Sequence, residues 1–266
     1  MEHATPGALI LFLFFTVPVL ISIFQVKRGK QIFIRKIPGI DAINTAIGRS
    51  VELGRPLSFT SGSAGVGPLL YSALSILKHI GRKAAVCGSK LFVPCIDPEV
   101  LVLSDFTLQS AYRAEKKLSR YDSSTVRYLS SEQFAYSSGY MGLIHRERVG
   151  AAFLFGSFAA ESLILAEAGD QIGAFQVAGT TSNEQIPFFI TTCDYTLIGE
   201  ELYAAGAFLS NDNVQRGSLR GQDIAKGFLL IIILWGVLES TYLSISGQQR
   251  ASLFEQAMSY KFEDLL

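Results

Sequence analysis

The chain has little with which to bind a transition metal. Its three cysteines (Cys87, Cys95, Cys193) and three histidines (His3, His79, His145) stand singly, and no two share a metal-ligand spacing. So few scattered cysteines also exclude a disulfide framework; they suit reduced thiols in a cytoplasmic domain. Neither charge is in excess, since 23 basic residues balance 23 acidic ones, and no basic nucleic-acid face is expected. No Gly-Lys-Ser/Thr triplet is present, which excludes a Walker A loop. Internal repeats and low-complexity segments are lacking as well.

Charge is missing altogether from Pro6 to Val26. About 20 helical residues rising ~1.5 Å each cross a ~30 Å hydrocarbon core. Pro18 removes one backbone donor and favours a kink there. A cleaved signal peptide calls for a basic start and a small-residue cleavage site, whereas this stretch begins Met1-Glu2-His3 and ends Phe24-Gln25-Val26. It is read as a retained anchor. Lys27, Arg28, Lys30, Arg35 and Lys36 follow with no acid among them, which places that side in the cytoplasm. A second apolar stretch, Phe228 to Ile245, is preceded by Arg216, Arg220 and Lys226 and agrees with that direction.

The expected organisation is therefore an outside N-terminus (1–6), a transmembrane helix (7–26), a cytoplasmic α/β domain (37–225), a second transmembrane helix (227–245) and a C-terminal tail (246–266). Leu253, Phe254, Ala257, Met258 and Phe262 give that tail one apolar helical face. The expected setting is a bacterial inner membrane with the lipid bilayer as one partner.

Between the spans, short apolar runs alternate with helical patterns. Leu69, Leu70, Ala73, Ile76, Leu77 and Ile80 recur at helical spacing, and Asp97-Pro98-Glu99 is a helix start. Ala84–Cys87 and Leu91–Val93 are too short for helices. Val126–Leu129, Ala174–Ala178 and Pro187–Thr192 read as strands, and Ile198, Leu202, Ala205 and Leu209 mark another helix. Arg146 to Ala168 reads as one long helix. Within it Val149 to Ala160 is an apolar run of core length, with Ala152, Gly156 and Ala160 four apart on one face as a close-packing surface. Such alternation predicts an α/β domain with a mainly parallel sheet and flanking helices.

Several segments carry a resemblance. Arg35-Lys36-Ile37-Pro38-Gly39-Ile40-Asp41-Ala42-Ile43 and Gly48-Arg49-Ser50-Val51-Glu52-Leu53-Gly54-Arg55-Pro56 resemble the entry segment of a bacterial membrane-protein family catalogued only as a domain of unknown function. The run from Cys193 to Tyr203 is similar to its later signature, as are Ala160–Leu163 and Gly173–Gln176. The resemblance spans roughly residues 33 to 240. It implies a bacterial inner-membrane protein and carries no reaction with it.

Four constellations invite chemistry. Thr60 to Pro68 is glycine-rich before a helix, so Ser61, Gly62, Ser63, Gly65 and Gly67 are candidate anion ligands, with Asp194 expected nearby at a strand end; the alternative is a flexible turn, since Leu70 stands where a dinucleotide fingerprint has Gly or Ala. Cys193 is a candidate nucleophile, given His79 or His145 as base; the alternative is a small buried cysteine. Asp194, Glu200, Glu201 and Glu161 could gather around a hard cation, or Glu200 and Glu201 could decorate a helix start and meet Arg49 and Arg55. Glu239 interrupts the second apolar stretch; a carboxylate there costs roughly 2.5–3.5 kcal/mol unless it faces protein or water. Thr16, Ser22 and Gln25 are the polar groups the first span could offer it.

The leading expectation is a membrane-anchored scaffold or assembly component, packing through Ala152, Gly156, Ala160 and Glu239, as a homo-oligomer or with other subunits of a membrane complex. A ligand-binding or sensory module using the glycine-rich loop is the alternative, and a Cys193-dependent enzyme the third. No cofactor, metal or nucleic acid is called for.

Overall fold

The computed structural model describes residues 6–28, 37–63, 65–210 and 213–246. Residues 1–5 and 247–266, and Lys30, Arg35 and Lys36 of the basic flank, lie outside them, as does the expected apolar face of the tail. The chain divides into two compact units, residues 34–211 and the two terminal segments. In chain order the elements are α1 (Pro6–Lys27), α2 (Pro38–Glu52), β1 (Leu57–Gly62), α3 (Pro68–Cys87), β2 (Leu91–Cys95), α4 (Pro98–Ala114), β3 (Val126–Tyr128), α5 (Gln133–Glu147), β4 (Ala151–Ser157), α6 (Glu161–Gln171), β5 (Phe175–Thr180), α7 (Ile186–Thr192), β6 (Tyr195–Ile198), α8 (Glu201–Ser210) and α9 (Asn213–Ser246).

The central unit is an α/β fold around a six-stranded sheet, all parallel, in the order β3-β2-β1-β4-β5-β6. Alternation along each strand assigns its side chains to opposite faces. Leu57 and Phe59 of β1, and Ala151, Phe153 and Phe155 of β4, join α2, α3, α4 and α8 in one core. Leu154 and Ala178 join α5, α6 and α7 in the other. On that second face β1 presents hydroxyls: Ser58 meets the Tyr140 phenol at 3.2 Å, and Thr60 meets that of Tyr136. Both tyrosines are fully buried, and burial raises both phenols above their ordinary range.

Several expectations are corrected here. Arg146–Ala168 is not one helix: α5 ends at Glu147, β4 occupies Ala151–Ser157, and α6 begins at Glu161. A strand covered on both faces is a continuous apolar run, which periodicity cannot separate from a buried helix. Ala152, Gly156 and Ala160 therefore form no helical face; the first two lie in a central strand and Ala160 caps α6. Pro187–Thr192 belongs to the short helix α7, and Ala84–Cys87 is the last turn of α3. The last strand among the described residues, β6, ends at Ile198, a position that the helical spacing of Ile198, Leu202, Ala205 and Leu209 assigns to a helix.

Gly156 has a different task. The β1–β4 register shifts between Thr60 and Gly62, leaving one extra residue in β4. Gly156 lies there with φ +158°, and a Cβ on it would overlap the Ser61 carbonyl oxygen. Reciprocally, a Cβ on Gly62 (φ +61°) would overlap the Ser157 carbonyl oxygen.

In the terminal unit α1 and α9 pack against each other. Gly217 sits against Ile23 and Gly221 against Val19: four residues forward in one helix, four back in the other, the register of an antiparallel pair. Gly217, Gly221 and the buried Ala225 recur every four residues, the spacing that lets two helices approach closely. Phe14 meets Phe228 edge to face, with ring centroids 5.6 Å apart. Beyond Lys226, α9 exposes Phe228 to Trp235, Val237 and Leu238 all around. Among the described residues Asn213–Leu243 is the one helix long and apolar enough to cross a membrane, and Phe12–Lys27 is a shorter apolar helix.

Gly156→Ala is expected to cost about 2 kcal/mol or more, because backbone must move to admit the methyl. Gly48→Ala, on the open face of α2, should be neutral or slightly stabilising. Thermal melts of the detergent-solubilised chain check both; equal melting temperatures would remove the close-approach argument.

Candidate functional site

In a doubly wound parallel sheet, the loops after neighbouring strands diverge where the strand order reverses, and a crevice opens outside the carboxyl ends. Here the reversal falls between β1 and β4. Their carboxyl ends are bound together: the Ser63 amide donates to the Ser157 carbonyl at 2.9 Å, and the Ser63 hydroxyl reaches the same oxygen at 3.3 Å. The Gly62 amide donates to the Thr60 hydroxyl at 3.1 Å.

The glycine-rich segment occupies this position. Ser61 and Gly62 are buried in the end of β1, while Ser63 and Gly65 are exposed. Gly62 is required by the close approach of β4. Gly65 is different, since a Cβ there would meet open space. The segment then enters the 20-residue helix α3 at Gly67 and Pro68, with no side chain capping the helix start. An uncapped amino terminus presents backbone N–H groups and the positive end of the helix dipole.

Three acids meet or miss this crevice. Asp97 follows β2 directly, half-buried, and its side chain makes no capping hydrogen bond at the start of α4. In the sequence alone, Asp97-Pro98-Glu99 signals only a helix start. Glu161 opens α6 just beyond β4 and is fully buried. Asp194 does not join them. It precedes β6 and so lies at the amino end of the sheet, where its Oδ2 accepts the Gln176 amide at 2.7 Å. The expected shared site of Gly62, Gly65, Gly67 and Asp194 is thus split between opposite ends of the strands, because Pro187–Thr192 is a helix and the strand comes after Asp194. The four-acid cluster fails for the same reason. Glu201 instead accepts the Ile198 amide at 3.2 Å at the start of α8, and Arg49 lies over the Phe175 ring.

Cys193 lines a cavity of about 320 Å³ at that amino end, with Arg49, Asp170 and Asp194. Burial pushes its thiol up to about 12, and Asp194 and Asp170 push the same way. An activated nucleophile needs the opposite shift. His79 serves elsewhere: its Nε2 is 3.1 Å from Asn44 Oδ1 on the α2–α3 side of the sheet, whereas Cys193 packs on the α5–α7 side. Burial, with Lys83 and Arg82 nearby, lowers His79 to about 4 and keeps it neutral. His145 is exposed in the last turn of α5.

In the terminal unit Glu239 is half-exposed. Continuing the antiparallel register sets Thr16 about four helical turns from Glu239 along α9, and Ser22 and Gln25 farther still. The polar groups expected to serve it are therefore out of reach, because the helices run in opposite directions.

No match was found among curated proteins or among solved structures. One family model does match, over residues 2–251, nearly the whole chain. The chain belongs to the family described as a domain of unknown function, DUF6754.

Proposed function

We propose that this chain is a membrane-anchored module whose α/β domain binds a phosphorylated ligand, with a nucleotide as the class that fits best. The observation that carries this reading is the position of the glycine-rich β1–α3 loop at the point where the strand order reverses. A phosphate would take the uncapped amino terminus of α3, and Asp97 is placed to accept hydroxyls of an attached sugar. Gly65→Val tests it, since a Cβ there meets open space and the branched side chain would crowd the approach to the loop. ADP near 100 times its Kd should raise the wild-type melting temperature by about 5 °C or more and leave the variant unmoved. Equal shifts in both, or none in wild type across ADP, ATP and inorganic pyrophosphate, would sink the reading.

The anchor we propose is two-span, α1 and α9, in a bacterial inner membrane with the α/β domain cytoplasmic. The basic flank after α1, from Lys27 to Lys36, supports that direction. Cys87 is exposed on the domain and reports on it. An impermeant maleimide should label Cys87 only after the inner membrane is opened; labelling in intact spheroplasts would reverse the topology.

A second reading, an assembly component of a membrane complex, is favoured by Glu239, a carboxylate inside the apolar run Phe228–Ile245. A partner helix from a second copy or another subunit would lower the cost of holding it in hydrocarbon. Under this reading Glu239→Gln preserves the native mass of the detergent-extracted particle and Glu239→Leu reduces it. An unchanged mass for the leucine variant would remove the assembly role.

A further inference from the structure

Glu161 is a buried acid with one oxygen unaccounted for. Its Oε2 accepts the Ala159 amide at 3.0 Å and the side-chain amide of Gln133. Its Oε1 is buried and has no hydrogen-bond partner among the described residues. A buried carboxylate is held only by hydrogen bonds, a counter-charge or a proton.

The surroundings tie this oxygen to the crevice. Glu161 lies close enough to Tyr136 to disfavour its ionised form. The Tyr136 hydroxyl in turn bonds Thr60 near the end of β1 and the Pro94 carbonyl near the end of β2, the latter at 3.3 Å. Ser157, four residues before Glu161, carries the carbonyl that holds Ser63 of the glycine-rich loop. The acid and the loop thus both stand at the carboxyl ends of β1, β2 and β4, linked through Tyr136 and Ser157.

A bare carboxylate beside a phosphate cradle would repel the phosphate. A divalent cation removes that conflict and completes Oε1 at once. Mg²⁺ commonly takes one or two carboxylates, keeps several waters and draws its remaining oxygens from a ligand phosphate. We propose that Glu161 Oε1 is the protein ligand of a divalent cation of the Mg²⁺ class, which bridges to the phosphate of a ligand in the β1–α3 loop. The bridging half rests on the phosphorylated-ligand reading above; the cation half rests on Glu161.

Mn²⁺ is the probe, its free concentration read by electron paramagnetic resonance with the full chain in detergent, with and without inorganic pyrophosphate. Wild type should bind Mn²⁺, more tightly with pyrophosphate, and Glu161→Gln should weaken Mn²⁺ by about tenfold or more while keeping its pyrophosphate affinity in the absence of metal. Should the variant not fold, wild type answers alone: Fe²⁺ with ascorbate and peroxide should cut the backbone between residues 157 and 162. Cutting elsewhere overturns the site. Glu161-dependent Mn²⁺ binding with no pyrophosphate binding keeps the cation site and removes the ligand reading. Pyrophosphate binding that ignores Mn²⁺, or Mn²⁺ binding equal in both proteins, removes the cation site and leaves the ligand reading standing. A carboxyl neutralised by a proton gives no Mn²⁺ binding in either protein, which also overturns the proposal.

Discussion

The close approach of β1 and β4 at their carboxyl ends is the constraint on which the rest of the central unit depends. Gly156 faces the Ser61 carbonyl, and Gly62 faces the Ser157 carbonyl, each with no room for a Cβ. These two strands are the middle of the sheet, so their spacing sets the platform for four further strands. Just beyond the contact the chain leaves β1 for α3 and β4 for α6, which pack on opposite faces. The crevice follows from that divergence. A wider spacing would break the Ser63–Ser157 bonds and detach the loop from the strand ends.

The two faces of the sheet are built differently. On the α3 side, β1 contributes Leu57 and Phe59 to an apolar core, at roughly 1.5–3 kcal/mol for each large side chain removed from water. On the α5 side, the same strand contributes Ser58 and Thr60, each paired with a buried tyrosine. Buried hydroxyls need partners, so these pairs fix the depth and rotation of α5 more narrowly than apolar packing would. Gln133 stands at the start of that helix and holds Glu161. The polar face of β1 thereby positions a buried acid at the carboxyl end of the sheet through one helix.

The terminal unit follows another rule. Two helices as apolar as α1 and α9 approach closely where small residues line the contact. Gly217, Gly221 and Ala225 give α9 the smooth stripe against which Ile23 and Val19 of α1 lie. The stripe ends before the wholly apolar run from Phe228 begins. Glu239 lies far beyond it, on a stretch of α9 that these small residues do not pack.

Much of this was legible in the sequence by itself. The two apolar stretches declare apolar helices, the alternation of apolar runs with helical patterns declares an α/β domain with a parallel sheet, and Asp97-Pro98-Glu99 declares the start of α4. These are local or composition-level signals, carried by neighbouring residues. Only the tertiary structure decided that Ala151–Ser157 is a central strand, because burial on both faces erases the period that would mark it. Only it decided that Asp194 stands at the far end of the sheet, because that depends on whether a strand precedes or follows the residue. Asp97 and Glu161 came to the glycine-rich loop by strand order alone. They lie 35 and 99 residues beyond Gly62 in the chain, and it is the reversal of the sheet between β1 and β4 that brings the ends of β2 and β4 to either side of it.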